Sequence, residues 1–209
     1  MRFEPPPLVI KRLGEVEYLP TLEAMRAFTE NRGTDTADEL WVLEHPPVYT
    51  LGVRSDPRHQ PSAGNGIPIV RGNRGGEITY HGPGQAIVYT LVDLGRRALT
   101  VREFVRMLEQ SVIDLLADGG VTATRRAGAP GVYVGEAKIA ALGLRVSRGR
   151  AYHGIALNVD MDLSPFLAID PCGFPGLSVT QTRDLGVAGS AHTMGERLAA
   201  TLARKLGHA

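Results

Sequence analysis

The chain has little cysteine and little lysine. Of its 209 residues one is cysteine, Cys172, and three are lysines, Lys11, Lys138 and Lys205, against twenty arginines. One cysteine excludes an internal disulfide and a thiolate zinc site, and it fits a reducing compartment. The lysine shortage reads most simply as a coding bias, but it confines any lysine chemistry to three positions. No apolar run approaches the ~18 residues that span a bilayer. The first residues, Met1 to Pro7, lack the apolar stretch of a secretory signal. A cytoplasmic protein that spans no membrane is therefore expected. A net charge of +1 argues against a surface built to coat nucleic acid.

Several common machines are missing too. None of the three lysines follows a glycine, so there is no Walker A loop. Gly82-Pro83-Gly84 is followed by Ile87 where a dinucleotide fingerprint needs its third glycine. H-E-x-x-H and G-x-S-x-G are absent, and the six histidines show no pair at metal-ligand spacing. No cofactor or metal is expected.

What is there is a globular composition, 43% hydrophobic and 22% charged. It predicts a single domain over 1–209. The chain also carries 25 glycines and 14 prolines, more than the average ~7% and ~5%, so turns and loops are abundant. Strands are predicted at Leu8–Leu13, Leu40–Leu43, Val48–Leu51 and Ala86–Leu94. Further strands are predicted at Val121–Thr124, Gly131–Val134, Lys138–Val146 and Tyr152–Val159. Between 54 and 85 only Ile67–Val70 and Glu77–Tyr80 are expected to pair as strands. Helices are predicted near Pro20–Asn31, from a Thr100/Glu103 capping box to Gly119, and at Ala191–Leu206. Without regular βαβ alternation, this order predicts an α+β fold with a mixed or antiparallel central sheet and flanking helices.

Three segments carry chemistry. Cys172 sits in Asp170-Pro171-Cys172-Gly173-Phe174-Pro175-Gly176. A lone cysteine is most often buried and inert. The two prolines and two glycines around it instead suit a rigid, accessible loop, which a nucleophilic thiol needs together with a positive neighbour. Lys138 opens the small, apolar run Ile139-Ala140-Ala141-Leu142-Gly143. It is either a solvated strand-start lysine or an ammonium in a partly apolar site, able to take the thiol proton. The third segment, Arg71 to Gln85, combines glycine doublets with donors at Arg74, Thr79, Tyr80, His81 and Gln85. It reads as a glycine-rich turn or as a ligand pocket.

Four strings carry a family resemblance: Arg74-Gly75-Gly76-Glu77-Ile78-Thr79-Tyr80-His81-Gly82-Pro83-Gly84-Gln85, Lys138-Ile139-Ala140-Ala141-Leu142-Gly143, His153-Gly154-Ile155-Ala156-Leu157-Asn158 and Pro171-Cys172-Gly173. Together they resemble the lipoyl(octanoyl) transferase family over about 39 to the final helix. The resemblance implies the fold of the biotin/lipoate ligase catalytic domain, over about 35–209. It implies transfer of an octanoyl group from acyl carrier protein to a lysine of a lipoyl domain. The acceptors would be 2-oxoacid dehydrogenase subunits and the glycine cleavage H protein. It places the acyl thioester on Cys172 and gives Lys138 the task of lowering the thiol's pKa. It assigns the acyl pocket to Arg74, Gly75, Gly76, Glu77, Ile78, Thr79, Tyr80 and His81, completed by Ala141, Leu142, Gly143, Gly154, Ile155 and Ala156. Ile139, Leu142, Ile155 and Leu157 are expected to supply apolar walls. Arg145, Arg148 and Arg150 read first as a solvated hairpin and second as a dock for the acidic carrier protein.

Overall fold

The computed structural model describes residues 8–59, 61, 66–169 and 177–207. Cys172 and its P-C-G motif lie outside the described residues. The chain opens with β1 (Leu8–Glu15), α1 (Tyr18–Asn31), β2 (Asp38–Glu44) and β3 (Val48–Leu51). Then come β4 (Ile69–Arg71), β5 (Ile78–His81), β6 (Gln85–Asp93) and α2 (Val101–Asp118). β7 (Thr124–Arg126), β8 (Ala129–Val134), β9 (Ala137–Ser147), β10 (Arg150–Asn158) and α3 (Ala191–Gly207) follow.

Seven strands form one sheet in the order β1-β2-β6-β10-β9-β8-β7. β1 and β2 run parallel, and the remaining neighbours run antiparallel. The sheet is mixed and the fold is α+β, as the element order predicts. In β2, Leu40 and Val42 face α2 and α3, while Trp41 and Leu43 face α1. In β6, Val88 and Val92 take the first side, and Ile87, Tyr89 and Leu91 the second. Side chains alternate along a strand, and both faces are covered, so these strands read as unbroken apolar runs.

A second, three-stranded sheet has the order β4-β3-β5. Here one expectation is corrected. The segments around Ile69 and Ile78 do not pair with each other. Tyr49 pairs with Ile69 on one edge of β3 and with Tyr80 on the other, so the short strand between them takes up both sets of backbone groups. A second correction concerns Val121–Thr124, where the strand starts only at Thr124. The Gly120 and Val121 N–H groups are spent on closing α2, donating to Ala117 O and Leu116 O. At the other end of α2 the Thr100/Glu103 capping box is formed.

A buried ion cluster ties these layers together. The Asp38 side chain is fully buried and lies 2.5 Å from Arg32, 2.9 Å from Arg96 and 2.6 Å from Arg97. The Asp93 N–H also donates to Asp38 Oδ1 at 2.9 Å. Arg97 in turn donates to Leu206 O at the end of α3, and Arg32 to Leu91 O in β6. Burial pushes the Asp38 carboxyl up. The Asp93 N–H and the two arginines Arg32 and Arg97 outweigh that, leaving it below the ordinary carboxylate value.

Removing one partner of a buried pair strands the others, so Asp38→Ala is expected to cost about 3–5 kcal/mol in urea unfolding. A depressed carboxylate stabilises above its unfolded pKa of about 3.9 and loses that contribution as pH falls through the folded value. The urea midpoint of the native chain should therefore fall below about pH 4, and Asp38→Asn should fall less over the same range.

Candidate active site

The two sheets and α1 enclose a narrow cavity, partly open to solvent. Its wall on the large sheet is built from Ala141, Gly143, Gly154 and Ala156. Gly143 pairs with Gly154, and Ala141 with Ala156, across β9 and β10. Paired residues share a face, so nothing larger than a methyl group stands there. Two expected wall residues lie elsewhere. Ile139 and Leu157 are fully buried in the core beneath α2 and α3. Strand alternation turns Leu157 away from Gly154 and Ala156, and Ile139 lies where β8 and β9 shift register.

The glycine-rich segment forms the opposite wall and hangs on Arg74. Its guanidinium donates to Thr50 O and Thr50 Oγ1 in β3, and to Gly75 O and Glu77 O in its own loop. The Gly75 N–H donates to Leu144 O of β9 at 2.9 Å, which seats the loop on the large sheet. Gly143 permits this approach, because a Cβ there would press on Arg74 Cδ and Gly75 O at 3.1 Å each. Arg74, Gly76, Glu77, Ile78, Thr79 and His81 line the cavity. Leu142 and Ile155 also reach it. Gly75 and Tyr80 stand outside its wall. The Tyr80 ring packs instead against Tyr49 and Phe166, at 5.6 and 5.5 Å between centroids.

A cluster that sequence spacing gave no reason to group closes one side of the cavity. Tyr18 from α1, Tyr89 from β6, and His81 and His153 line it, with His45 packed behind. The His45 and His81 ring centroids are 5.8 Å apart. Among the described residues no group of histidines or acids is arranged to hold a metal. His45 Nδ1 lies 2.5 Å from Val16 O and therefore carries the proton, so Tyr89 Oη donates to Nε2 at 2.8 Å. His153 donates to Asn73 Oδ1 at 2.7 Å and adopts φ +64°. Tyr18 Oη and His153 Nδ1 have no hydrogen-bond partner among the described residues.

Burial alone drives His45 down to about 4 against the pull of Val16 O. Burial, followed by His45, brings His81 to about 3, and burial, followed by Arg74, brings His153 to about 3. All three are neutral at physiological pH. Sequence reasoning left Tyr18, Tyr89 and Asn73 out of the site. The available signals were hydroxyl-bearing tyrosines inside apolar stretches, such as Tyr89 within Ile87 to Leu91.

Lys138 lines the same cavity and is only 4% exposed. It is not the solvated strand-start lysine of the plainer reading. Its Nζ lies 5.5 Å from the Tyr133 ring centroid, a cation–π distance. The backbone of Lys138 is bridged by the segment that follows Cys172. Lys138 N–H donates to Ser178 O at 2.8 Å, and Thr180 N–H to Lys138 O at 3.0 Å. A chain of hydrogen bonds joins this bridge to the histidine cluster. His81 donates to Gln85, Gln85 to Asn158, and Asn158 to Thr180 O.

Residues 17–203 match the family model described as the lipoyl protein ligase A/B catalytic domain. The chain belongs to that family. An octanoyltransferase of Dechloromonas aromatica is 58% identical over 200 residues, 96% of this chain and 97% of its relative. The chain thus falls among the acyltransferases of the family. A solved structure of Ta0514, a putative lipoate protein ligase from T. acidophilum with bound lipoic acid, superposes with TM-score 0.76 at 17% identity, over 96% of this chain and 86% of that one. The biotin protein ligase of Aquifex aeolicus gives TM-score 0.56 at 13% identity, over 95% and 68%. These distant likenesses establish the shared fold. Among the described residues no helix is long and apolar enough to cross a membrane.

The histidine cluster carries a solution signature. Ring-proton NMR should show no titration of His45, His81 or His153 above about pH 5. An unfolded histidine takes up a proton near 6.5. The cluster therefore stabilises the fold above that pH, and the contribution fades as pH falls toward the folded values.

Proposed function

We propose that the protein transfers an octanoyl group from the thioester of acyl carrier protein to a lysine of a lipoyl domain, through a thioester on Cys172. The observation that carries this reading is a buried lysine set at a slot of small residues: Lys138 shares its cavity with Ala141, Gly143, Gly154 and Ala156. An extended alkyl chain fits against such a surface, at ~0.8 kcal/mol per buried methylene. The octanoyltransferase name of the D. aromatica relative supports the same acyl group.

Lys138 takes the Cys172 thiol proton, and the thiolate attacks the carbonyl carbon of the donor thioester. The new C–S bond forms, the carrier's C–S bond breaks, and the departing thiolate takes the proton back from Lys138. The acceptor lysine's neutral amine then attacks the acyl-enzyme. Its C–N bond forms, Cys172 leaves as thiolate, and the amine proton returns to Lys138. Exchange between thioesters is nearly thermoneutral and the final amide lies downhill, so neither step requires ATP. Backbone N–H groups of the glycine-rich loop or beside Cys172 stabilise the oxyanion. The acceptors are lipoyl domains of 2-oxoacid dehydrogenase subunits and the glycine cleavage H protein, met in the cytoplasm.

The bridge between Lys138 and Ser178 supports the pairing of lysine and thiol. Ser178 stands six positions after Cys172 and is hydrogen-bonded to Lys138 itself. Arg150 favours the structural reading of its hairpin, since it lies 3.5 Å from Asp93 and donates to Thr29 O.

Intact-mass spectrometry after incubation with octanoyl-carrier protein, without ATP, tests the reading. The expected result is a hydroxylamine-labile octanoyl adduct on the peptide bearing Cys172, absent in Cys172→Ser. An acylated lipoyl domain that forms only with ATP would falsify it. Lys138→Ala should move the pH profile of Cys172 alkylation by iodoacetamide to higher pH; identical profiles would remove the lysine from the mechanism. Ala141→Leu should narrow the slot and lower kcat/KM for octanoyl more than for butyryl donors, by about tenfold for some 1.4 kcal/mol of lost burial.

A further inference from the structure

The ammonium stem of Lys138 lies across the α-carbon of a single glycine. Gly131, in β8, has φ +134°, a region that residues with side chains rarely adopt. A Cβ at this position would stand 2.5 Å from Lys138 Cε, 3.1 Å from Lys138 Nζ and 2.6 Å from Ala140 O. Any side chain at 131 therefore competes for the volume that the lysine's terminal atoms fill. The strand is irregular at this place, with a register shift between Val132 and Tyr133. That irregularity sets Tyr133 opposite Lys138, with the ring under the ammonium.

A buried carboxylate holds the glycine. Glu109 projects from α2 and is 5% exposed. Its Oε1 accepts from the Gly131 N–H at 3.0 Å, and its Oε2 lies 3.0 Å from Arg125 Nε. The arginine orients the carboxylate, and the free oxygen fixes the glycine. An acid on the apolar face of α2 is costly unless paired, and this one is matched on both oxygens. It interrupts a helix face otherwise formed by Phe104, Leu108, Val112 and Leu115.

We infer that Gly131 and Glu109 are positioning residues for Lys138: the carboxylate pins the glycine, and the bare glycine reserves the space in which the ammonium sits. The inference rests on the proposed role of Lys138 in acyl transfer. It predicts that changes at 131 and 109 act on catalysis through the lysine and not through the acyl slot.

Steady-state kinetics of octanoyl transfer across pH, on the full chain, provide the test. Gly131→Ala should lower kcat about ten- to a hundredfold with KM little changed, as a misplaced catalytic group does. The rising limb of its pH profile should move to higher pH. Glu109→Ala should do the same more weakly. Glu109→Gln, which keeps an oxygen for the Gly131 N–H, should recover most of the native rate. In a Lys138→Ala background, Gly131→Ala should add no further loss, since residues acting through one group are not additive. Native kcat and pH profile in folded Gly131→Ala or Glu109→Ala, with Lys138→Ala strongly impaired, would overturn this inference alone. So would additive losses in the double variant. Full activity of Lys138→Ala would instead remove the lysine's own role and the inference with it. If Gly131→Ala does not fold, the Glu109→Ala and Glu109→Gln pair decides by the same criteria.

Discussion

The guanidinium of Arg74 is the constraint on which the cavity depends. A glycine-rich loop has no side chains with which to pack, so it must be held by its backbone. Arg74 does this from inside the loop, binding carbonyls of its own segment and of β3 at once. The Gly75 N–H then fastens the loop to β9. These bonds hold the loop against both sheets and help set the width of the slot between them. The same buried positive charge helps keep His81 and His153 neutral. One residue therefore supports both the shape of the cavity and its electrostatics.

The other polar groups fall into two kinds. Asp38 and its three arginines pair with one another and lie away from the cavity. They hold β2, α1, the turn after β6 and the end of α3 in one arrangement. The polar groups around the cavity are arranged differently. They form a chain from His81 through Gln85 and Asn158 to the segment bridged to Lys138. Tyr18 Oη and His153 Nδ1 stay unpartnered within the described residues. His153 also holds a backbone angle that costs of order 1–3 kcal/mol. Backbone strain and two unpartnered polar atoms meet at this site, while the ion cluster leaves Arg32 Nε and Arg96 Nε without a hydrogen-bond partner among the described residues.

Local signals carried much of the fold. The capping box at Thr100, the apolar face of α2 and the strand runs of β6, β9 and β10 all follow from short-range periodicity. The pairing of β4 and β5 through β3 was not legible, because pairing is decided by which edge is free in space. The glycine string and Lys138 stood out in the sequence because their residue types are unusual for their neighbourhoods. Tyr18, His45 and Tyr89 did not, since each looks like an ordinary residue of a helix or strand and becomes notable only when the two sheets close over it. Glu109 was hidden for the opposite reason: charged residues on a helix are read as solvated, and only the packing of α2 on β8 shows its carboxylate to be buried.

The strand order has a consequence for synthesis of the chain. β6 is bonded on one edge to β2, made before it, and on the other to β10, made well after it. At about 5–20 residues per second, the second edge of β6 waits roughly 3–13 s on the ribosome for its partner. That edge belongs to an apolar strand, Ile87 to Val92, of the kind that pairs readily with other chains. α2 emerges within this interval but packs over β8 and β10; the helix that lies over β6 is α3, the last element made. One edge and one face of β6 therefore both wait for elements made later, β10 and α3.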